Sequence, residues 1–121
     1  GLTAKALTKR EKPTTSLKKT TIFAVSFTIA ANITAEVGFK DIFVRILTPA
    51  EDLLTNAKSG TFRYDGSDVQ YSMKKNIEYG GEETQVTLYW NRNETLEPGT
   101  YTFEVYADGN MIGQTSLKME K

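Results

Sequence analysis

Residues 96–106 read LEPGTYTFEVY, and this stretch decides the fold class of the 121-residue chain. A Pro-Gly step favours a turn, and polar and apolar residues alternate after it. Tyr101, Phe103 and Val105 fall on one face of a predicted strand, and the residues between them fall on the other. This alternation is typical of a strand that buries one face and exposes the other.

The same two-residue period recurs upstream, where Thr, Val, Ile, Tyr and Phe are plentiful. A strand is predicted over residues 20–33, another over 39–48, and another over 83–91, in which Trp90 is expected at the centre of the core. Residues 50–57 are expected to form at most one helical turn. The inward residues of the first and third of these strands are predicted to be Phe23, Val25, Phe27, Ile29, Val86 and Leu88.

Turn signals separate the predicted strands. Asp65-Gly66 and Asp108-Gly109-Asn110 supply the positive φ angles that tight hairpins need, and Gly113 is expected to mark a bulge in the last strand. About seven strands with turns every 8 to 12 residues predict an all-β fold, a two-sheet antiparallel sandwich.

Composition excludes several kinds of chemistry. The chain has no His and no Cys, so Ser-His-Asp and Cys-His catalysis and thiolate or imidazole metal sites are ruled out. Asp65 and Asp68 are weighed as calcium ligands against a plain hairpin turn, which we favour because the spacing of a dedicated calcium loop is missing. The carboxylate pairs near Glu83 and Glu94 are weighed as the acid and base of a glycosidase. We do not favour this activity, because a small sandwich offers no cleft between the two carboxylates. We therefore expect no enzymatic activity, no cofactor and no metal.

The zero net charge conceals an asymmetry. Residues 1–19 carry six Lys and Arg residues and one Glu, whereas residues 20–121 carry nine basic and fourteen acidic residues. Few large apolar residues and a Pro-Thr-Thr-Ser run occur in the first segment. Such a segment could contact nucleic acid or an anionic surface, dock on the acidic body, or act as a solvated linker. We favour the last and interpret residues 1–19 as a flexible basic arm or linker and residues 20–121 as the folded domain. The acidic body has no basic groove with aromatic residues, so specific nucleic-acid binding is not expected.

Five of the six tyrosines are candidate binding residues. Tyr89 and Tyr106 have outward parity on their strands, and three more lie on neighbouring strands. Together they could form an exposed aromatic platform for a sugar or for the apolar edge of a partner, although scattered surface tyrosines are equally expected on any sheet. The candidates are Tyr64, Tyr71, Tyr79, Tyr89 and Tyr106.

The turn quoted first resembles the segment that enters the penultimate strand of immunoglobulin-like and fibronectin-type domains. The resemblance implies that Tyr101 is a tyrosine corner, whose hydroxyl bonds back to the backbone, with Leu96 packed beneath the Pro98-Gly99 turn. Trp90 departs from the familiar pattern, because it lies on the strand just before the corner. More loosely, residues 86–109 resemble C-terminal immunoglobulin-like domains of bacterial envelope proteins.

These expectations combine into one functional hypothesis and one alternative. The first is a non-catalytic protein-interaction or spacer module of a larger bacterial envelope protein, located in the periplasm or at the surface, whose partner is another protein or a neighbouring domain of the same chain. The alternative is a carbohydrate-binding module that uses the outward tyrosines. No transmembrane segment is expected, since polar residues interrupt the most apolar stretch, residues 22–39.

Overall fold

The fold is all-β in a computed structural model that describes residues 1–31 and 36–121. Ten strands make up this part of the chain, together with one 3-10 turn at Leu17–Lys19. No helix in it is long and apolar enough to cross a membrane. The strands are β1 (Thr3–Leu7), β2 (Pro13–Thr14), β3 (Ile22–Ile29), β4 (Gly38–Leu47), β5 (Gly60–Tyr64), β6 (Ser67–Tyr71), β7 (Met73–Tyr79), β8 (Thr84–Asn91), β9 (Gly99–Ala107) and β10 (Asn110–Met119).

The strands form three antiparallel sheets. Sheet I has the order β2-β1-β3-β8, sheet II has the order β10-β9-β4-β7, and β5 and β6 form a separate hairpin. The expected all-β antiparallel class is confirmed, but the expected number of about seven strands is wrong. The sequence analysis placed no strand in residues 1–19, where the structure has β1 and β2.

The core lies between sheets I and II and consists of the inward rows that the alternation predicts. Trp90 of β8, Phe23 of β3 and Phe103 of β9 are each almost completely buried, and the rings of Phe23 and Phe103 lie 5.5 Å apart, edge to face. Burying aromatic rings of this size contributes a large part of the stability of a small domain. The predicted strand over residues 20–33 extends in the structure from Ile22 to Ile29, and its predicted end at Ile33 lies outside the described residues.

The N-terminal segment is not a flexible arm, which corrects the expectation for residues 1–19. β1 pairs with β3 along its whole length, and Ala6 and Leu17 belong to the main core. The error arose because the prediction relied on the number of apolar residues. Pairing of the backbone with β3 and two well-placed apolar side chains are sufficient to order the segment.

The two predicted hairpin turns are present. Asp65 and Gly66 connect β5 to β6 with φ angles of 50° and 78°, and Asp108 and Gly109 connect β9 to β10 with φ angles of 53° and 76°. Both pairs have the positive φ values that two-residue turns of this kind require. The register of β10 against β9 shifts between Met111 and Gly113, which confirms the predicted bulge.

The chain changes sheets at Ser72, between β6 and β7. This residue is fully buried, and its hydroxyl accepts a hydrogen bond from the Ile46 N–H at 2.9 Å, while its own N–H donates to the Val44 carbonyl at 2.8 Å. Residues 50–57 contain no helical turn. Instead, the buried Leu54 is held by a hydrogen bond from its N–H to the Ile46 carbonyl at 2.9 Å.

Candidate functional site: the groove between β7 and β8

A groove runs along one open side of the sandwich, between the edge strand of sheet II and the edge strand of sheet I. It is lined by residues 56–58, 71–75 and 87–91, and we refer to it as the seam groove. Its wider part has a volume of about 570 Å³, within the range of ligand sites, and its narrower part has a volume of about 210 Å³. The two parts share Met73, Lys74 and Tyr89 and therefore form one continuous depression.

One wall of the groove is the free edge of β8. The Arg92 N–H donates to the Thr21 carbonyl at 2.9 Å, which sets the phase of the β3–β8 ladder. Because hydrogen-bonded pairs alternate in an antiparallel ladder, the backbone groups of the even-numbered residues of β8 bond to β3. Those of Gln85, Thr87 and Tyr89 point away from β3, towards the open edge.

Lys75 covers part of the open edge of β8. The Lys75 ammonium, from β7, donates a hydrogen bond of 2.9 Å to the Thr87 carbonyl. Lysines placed beside an edge in this way hinder pairing with another chain. Sequence reasoning missed this role. The available signal was that Lys75 interrupts a row of apolar residues at every second position, Val69, Tyr71, Met73, Ile77 and Tyr79.

The charged groups that line the groove are lysines, and asparagines are among its neutral polar groups. Lys58 and Lys74 are exposed, and Asn56 and Asn91 lie nearby. Among the described residues, no Asp or Glu lines either part of the groove. The groove is therefore basic on a chain whose overall charge is zero.

The five candidate tyrosines do not form one platform. Tyr89 is 59% exposed and lines the seam groove, in agreement with its outward parity. Tyr79 is buried in sheet II, where its hydroxyl donates to the Ala30 carbonyl at 2.9 Å. Tyr71 and Tyr106 are buried as well, and Tyr64 is partly exposed. The expectation that Tyr106 is exposed is wrong, although it does point away from the main core.

Tyr64, Tyr71 and Tyr106 instead meet in a second, smaller core. The β5–β6 hairpin lies over the outer face of sheet II, and the Phe62 ring stacks on the Phe43 ring of β4 at 4.5 Å. The Tyr106 ring lies 5.1 Å from the Phe62 ring and 5.0 Å from the Tyr64 ring. These five aromatic side chains stabilise the hairpin on the sheet and are not available as a platform.

Tyr106 is also held by polar contacts. Its hydroxyl donates to the Glu104 carboxylate at 2.9 Å, and the Arg45 guanidinium donates to the same oxygen at 2.9 Å. Burial raises the pKa of the Tyr106 phenol, and the neighbouring Glu104 carboxylate raises this pKa further. The phenol therefore stays protonated and serves as a structural donor.

The predicted corner residues lie together at the start of β9. The Tyr101 hydroxyl donates to the Glu97 carbonyl at 2.6 Å, so the expected backbone hydrogen bond is present, and Leu96 is buried beside the turn. Burial raises the pKa of the Tyr101 phenol, which therefore stays protonated and able to donate. Gly99 has a φ of 138°, and a Cβ atom there would lie 2.7 Å from the Pro49 ring, so glycine is required. Pro98 is exposed.

The acidic residues weighed as metal ligands lie in ordinary positions. Asp65 occupies the β5–β6 turn, and the Asp68 carboxylate accepts a hydrogen bond of 3.1 Å from Arg63. Within residues 1–31 and 36–121, no three His, Cys, Asp or Glu side chains are grouped closely enough to hold a metal ion.

Comparisons with known proteins place the chain in a family but attach no activity to it. No curated protein and no solved structure matches the chain. One family model matches residues 1–120, which include the basic N-terminal segment and all ten strands. The chain therefore belongs to the family described as a domain of unknown function, DUF8428.

Proposed function

We propose that the domain is a non-catalytic protein-interaction module and that its partner binds at the free edge of β8, beside the seam groove. The observation that carries this proposal is that β8, in the described part of the chain, pairs with another strand on one side only. The strand is eight residues long and has β3 as its only strand neighbour in the described residues. An exposed edge of this length offers a row of backbone donors and acceptors to an incoming strand.

Tyr89 adds a contact surface to this edge. Its ring is the most exposed tyrosine ring among the described residues, and it lies where a bound strand would pass. Tyrosine is enriched at protein interfaces because a rigid ring supplies apolar area at a low entropic cost, while its hydroxyl remains hydrated. The proposal omits catalysis, because the groove offers lysines and amides and no pairing of an acid with a base.

The proposal extends to the setting of the domain. We infer that it is an immunoglobulin-like module of a bacterial envelope protein, in the periplasm or at the surface. Two facing antiparallel sheets and the hydrogen bond from Tyr101 to Glu97 support the first part. The second part rests on the resemblance of residues 86–109 alone, and fractionation of cells that carry the tagged gene tests it.

Carbohydrate binding is the second candidate, and one observation favours it. Tyr89 lies in the same groove as the Asn56 and Asn91 amides, which gives a stacking surface beside hydrogen-bonding groups. The burial of Tyr71, Tyr79 and Tyr106 removes the larger platform on which a polysaccharide would lie. The carbohydrate candidate is therefore limited to a short saccharide that stacks on the Tyr89 ring.

Photocrosslinking in the source cells tests the proposal. Tyr89 is replaced by benzoylphenylalanine in the full-length protein, and in a matched control Lys118, exposed on β10 at the opposite edge of sheet II, is replaced in the same way. We expect a defined protein adduct from position 89 and none from position 118. The absence of a protein adduct at position 89 would overturn the proposal. A glycan-array signal that Tyr89→Ala abolishes would favour the saccharide instead.

A further inference from the structure

The distribution of charge along the seam groove specifies the chemistry of its occupant. Lys58 lies at one end, Lys74 at the middle and Lys75 beside β8. In the described part of the chain, none of the three forms a salt bridge, whereas Lys40, Arg45 and Arg63 each pair with a carboxylate. Three unpaired lysines along one depression favour a ligand that carries several negative charges.

We propose that the occupant of the seam groove is an extended, acidic strand of a partner protein, which adds to β8 and places its carboxylates against the three lysines. This inference rests on the proposed function and names the chemistry of the partner. Gln85, Thr87 and Tyr89 supply the backbone donors and acceptors for pairing. Alternate side chains of the incoming strand then point to the same face, so acidic residues at every second position present one row of carboxylates to the groove.

Lys75 makes the edge selective for acidic strands. Its ammonium occupies the Thr87 carbonyl, which is one of the acceptors that an incoming strand requires. A neutral or basic strand would have to displace the ammonium without offering it a new partner, and the lost hydrogen bond would weaken binding. With an acidic strand, the Lys75 ammonium can donate to a carboxylate of the incoming strand instead, and a backbone N–H of that strand donates to the Thr87 carbonyl. The same residue thus protects the free edge and admits one chemical class of partner.

An acidic polysaccharide is the competing occupant and is less favoured by the structure. It would satisfy the lysines, but it has no backbone amides with which to pair the open edge of β8. It would also find one exposed aromatic ring, Tyr89, in place of the row of rings expected from the sequence.

Designed peptides test the inference directly. One ten-residue peptide alternates Glu with Thr, and its matched control alternates Gln with Thr, so that the two differ only in charge. Binding is measured by fluorescence anisotropy at low salt, and the site is mapped by the amide chemical shifts of β8. We expect the Glu peptide to bind at least tenfold more tightly than the Gln peptide, to shift Gln85, Thr87 and Tyr89, and to weaken when the salt concentration is raised.

Charge reversal separates a specific site from general attraction. Lys74→Glu should lower the affinity for the Glu peptide at least tenfold, and Lys118→Glu, which makes the same change on the far edge of sheet II, should leave it nearly unchanged. Lys75→Gln should reduce the ratio between the affinities of the Glu and Gln peptides. Circular dichroism and the thermal midpoint of each variant establish that the fold is intact.

Three outcomes would overturn the inference: no binding of the Glu peptide at millimolar concentration, equal losses in Lys74→Glu and Lys118→Glu, or shifts of β8 amides by oligogalacturonate but not by the peptide. The failure of the proposed function is distinguishable from these. If a protein crosslinks at position 89 and Lys74→Glu does not reduce the yield, the partner binds at β8 but is not acidic, so only the further inference fails.

Discussion

At the scale of the residue, Tyr101 has two separable interactions. Its ring packs 5.5 Å from the Phe23 ring in the main core, and its hydroxyl donates to the Glu97 carbonyl in the turn before β9. Tyr101→Phe keeps the first and removes the second. We expect this variant to lose about 1 to 2 kcal/mol in free energy of unfolding, because the partly buried carbonyl loses its donor. Urea unfolding followed by Trp90 fluorescence measures the loss.

Tyr89→Phe is the matched control for this prediction. It removes the same hydroxyl from a ring that is 59% exposed, where water replaces any lost hydrogen bond, and its unfolding free energy should stay within about 0.5 kcal/mol of the wild-type value. Equal stability of Tyr101→Phe and Tyr89→Phe would show that the corner hydrogen bond contributes nothing.

At the scale of the element, the turn of the β5–β6 hairpin was predicted, but its position on the outer face of sheet II was not. The hairpin covers the outer face of sheet II through Phe62, which stacks on Phe43, and through the Arg45 guanidinium, which donates to the Gln70 carbonyl at 2.8 Å. A two-stranded hairpin is barely stable alone, so its order depends on these contacts. The hairpin also buries Tyr71 beside Gly60, where a Cβ atom would lie 2.9 Å from the Tyr71 hydroxyl oxygen.

Phe62→Ala tests how strongly the hairpin is held. We expect a loss of about 3 kcal/mol in unfolding free energy, since the ring is buried in a small cluster and its removal leaves a cavity. Phe39→Ala is the control, because Phe39 lies on β4 and is 75% exposed, and we expect it to change stability by less than about 0.5 kcal/mol. If Phe62→Ala is as mild as the control, the hairpin is not docked on sheet II in solution.

The accuracy of sequence reasoning differed between elements for a physical reason. In β3, β8 and β9 the largest apolar residues recur at every second position over most of the strand, and the inward rows around Phe23, Trp90 and Phe103 were predicted correctly, because one face of each strand is more apolar than the other. In β4 both faces are apolar, since Ile42 faces the main core and Phe43 faces the hairpin. Alternation cannot indicate which element covers a second apolar face.

The candidate site was predicted only in part, for a related reason. Tyr89 was identified from its parity, but the seam groove itself depends on which strands become edges. β8 is an edge because β3 is its only strand neighbour in the described residues. Which strands pair across long separations in sequence is set by tertiary contacts, and alternation along one strand does not report them.

At the scale of the whole molecule, the N-terminal segment joins the two sheets. The Leu17 N–H donates to the Glu120 carbonyl at 2.6 Å, and the Glu120 N–H donates to the Thr15 carbonyl at 2.7 Å, so the end of β10 is attached to this segment. The Arg92 guanidinium, which follows β8, donates to the Leu17 and Thr20 carbonyls. Among the described residues, no salt bridge joins residues 1–19 to the acidic body, so packing and hydrogen bonds to backbone groups hold the segment there.

Leu17→Ala tests how strongly the N-terminal segment is held on the two sheets, with Lys18→Ala as a control at the next residue. Leu17 is 3% exposed and belongs to the main core, whereas Lys18 is exposed, so we expect losses in unfolding free energy of about 3 kcal/mol and less than about 0.5 kcal/mol, respectively. Both variants unfold in one transition if the segment and the sandwich form one cooperative unit. A flexible arm would tolerate both substitutions equally, and equal unfolding midpoints in urea would therefore restore the basic segment to the role of a linker.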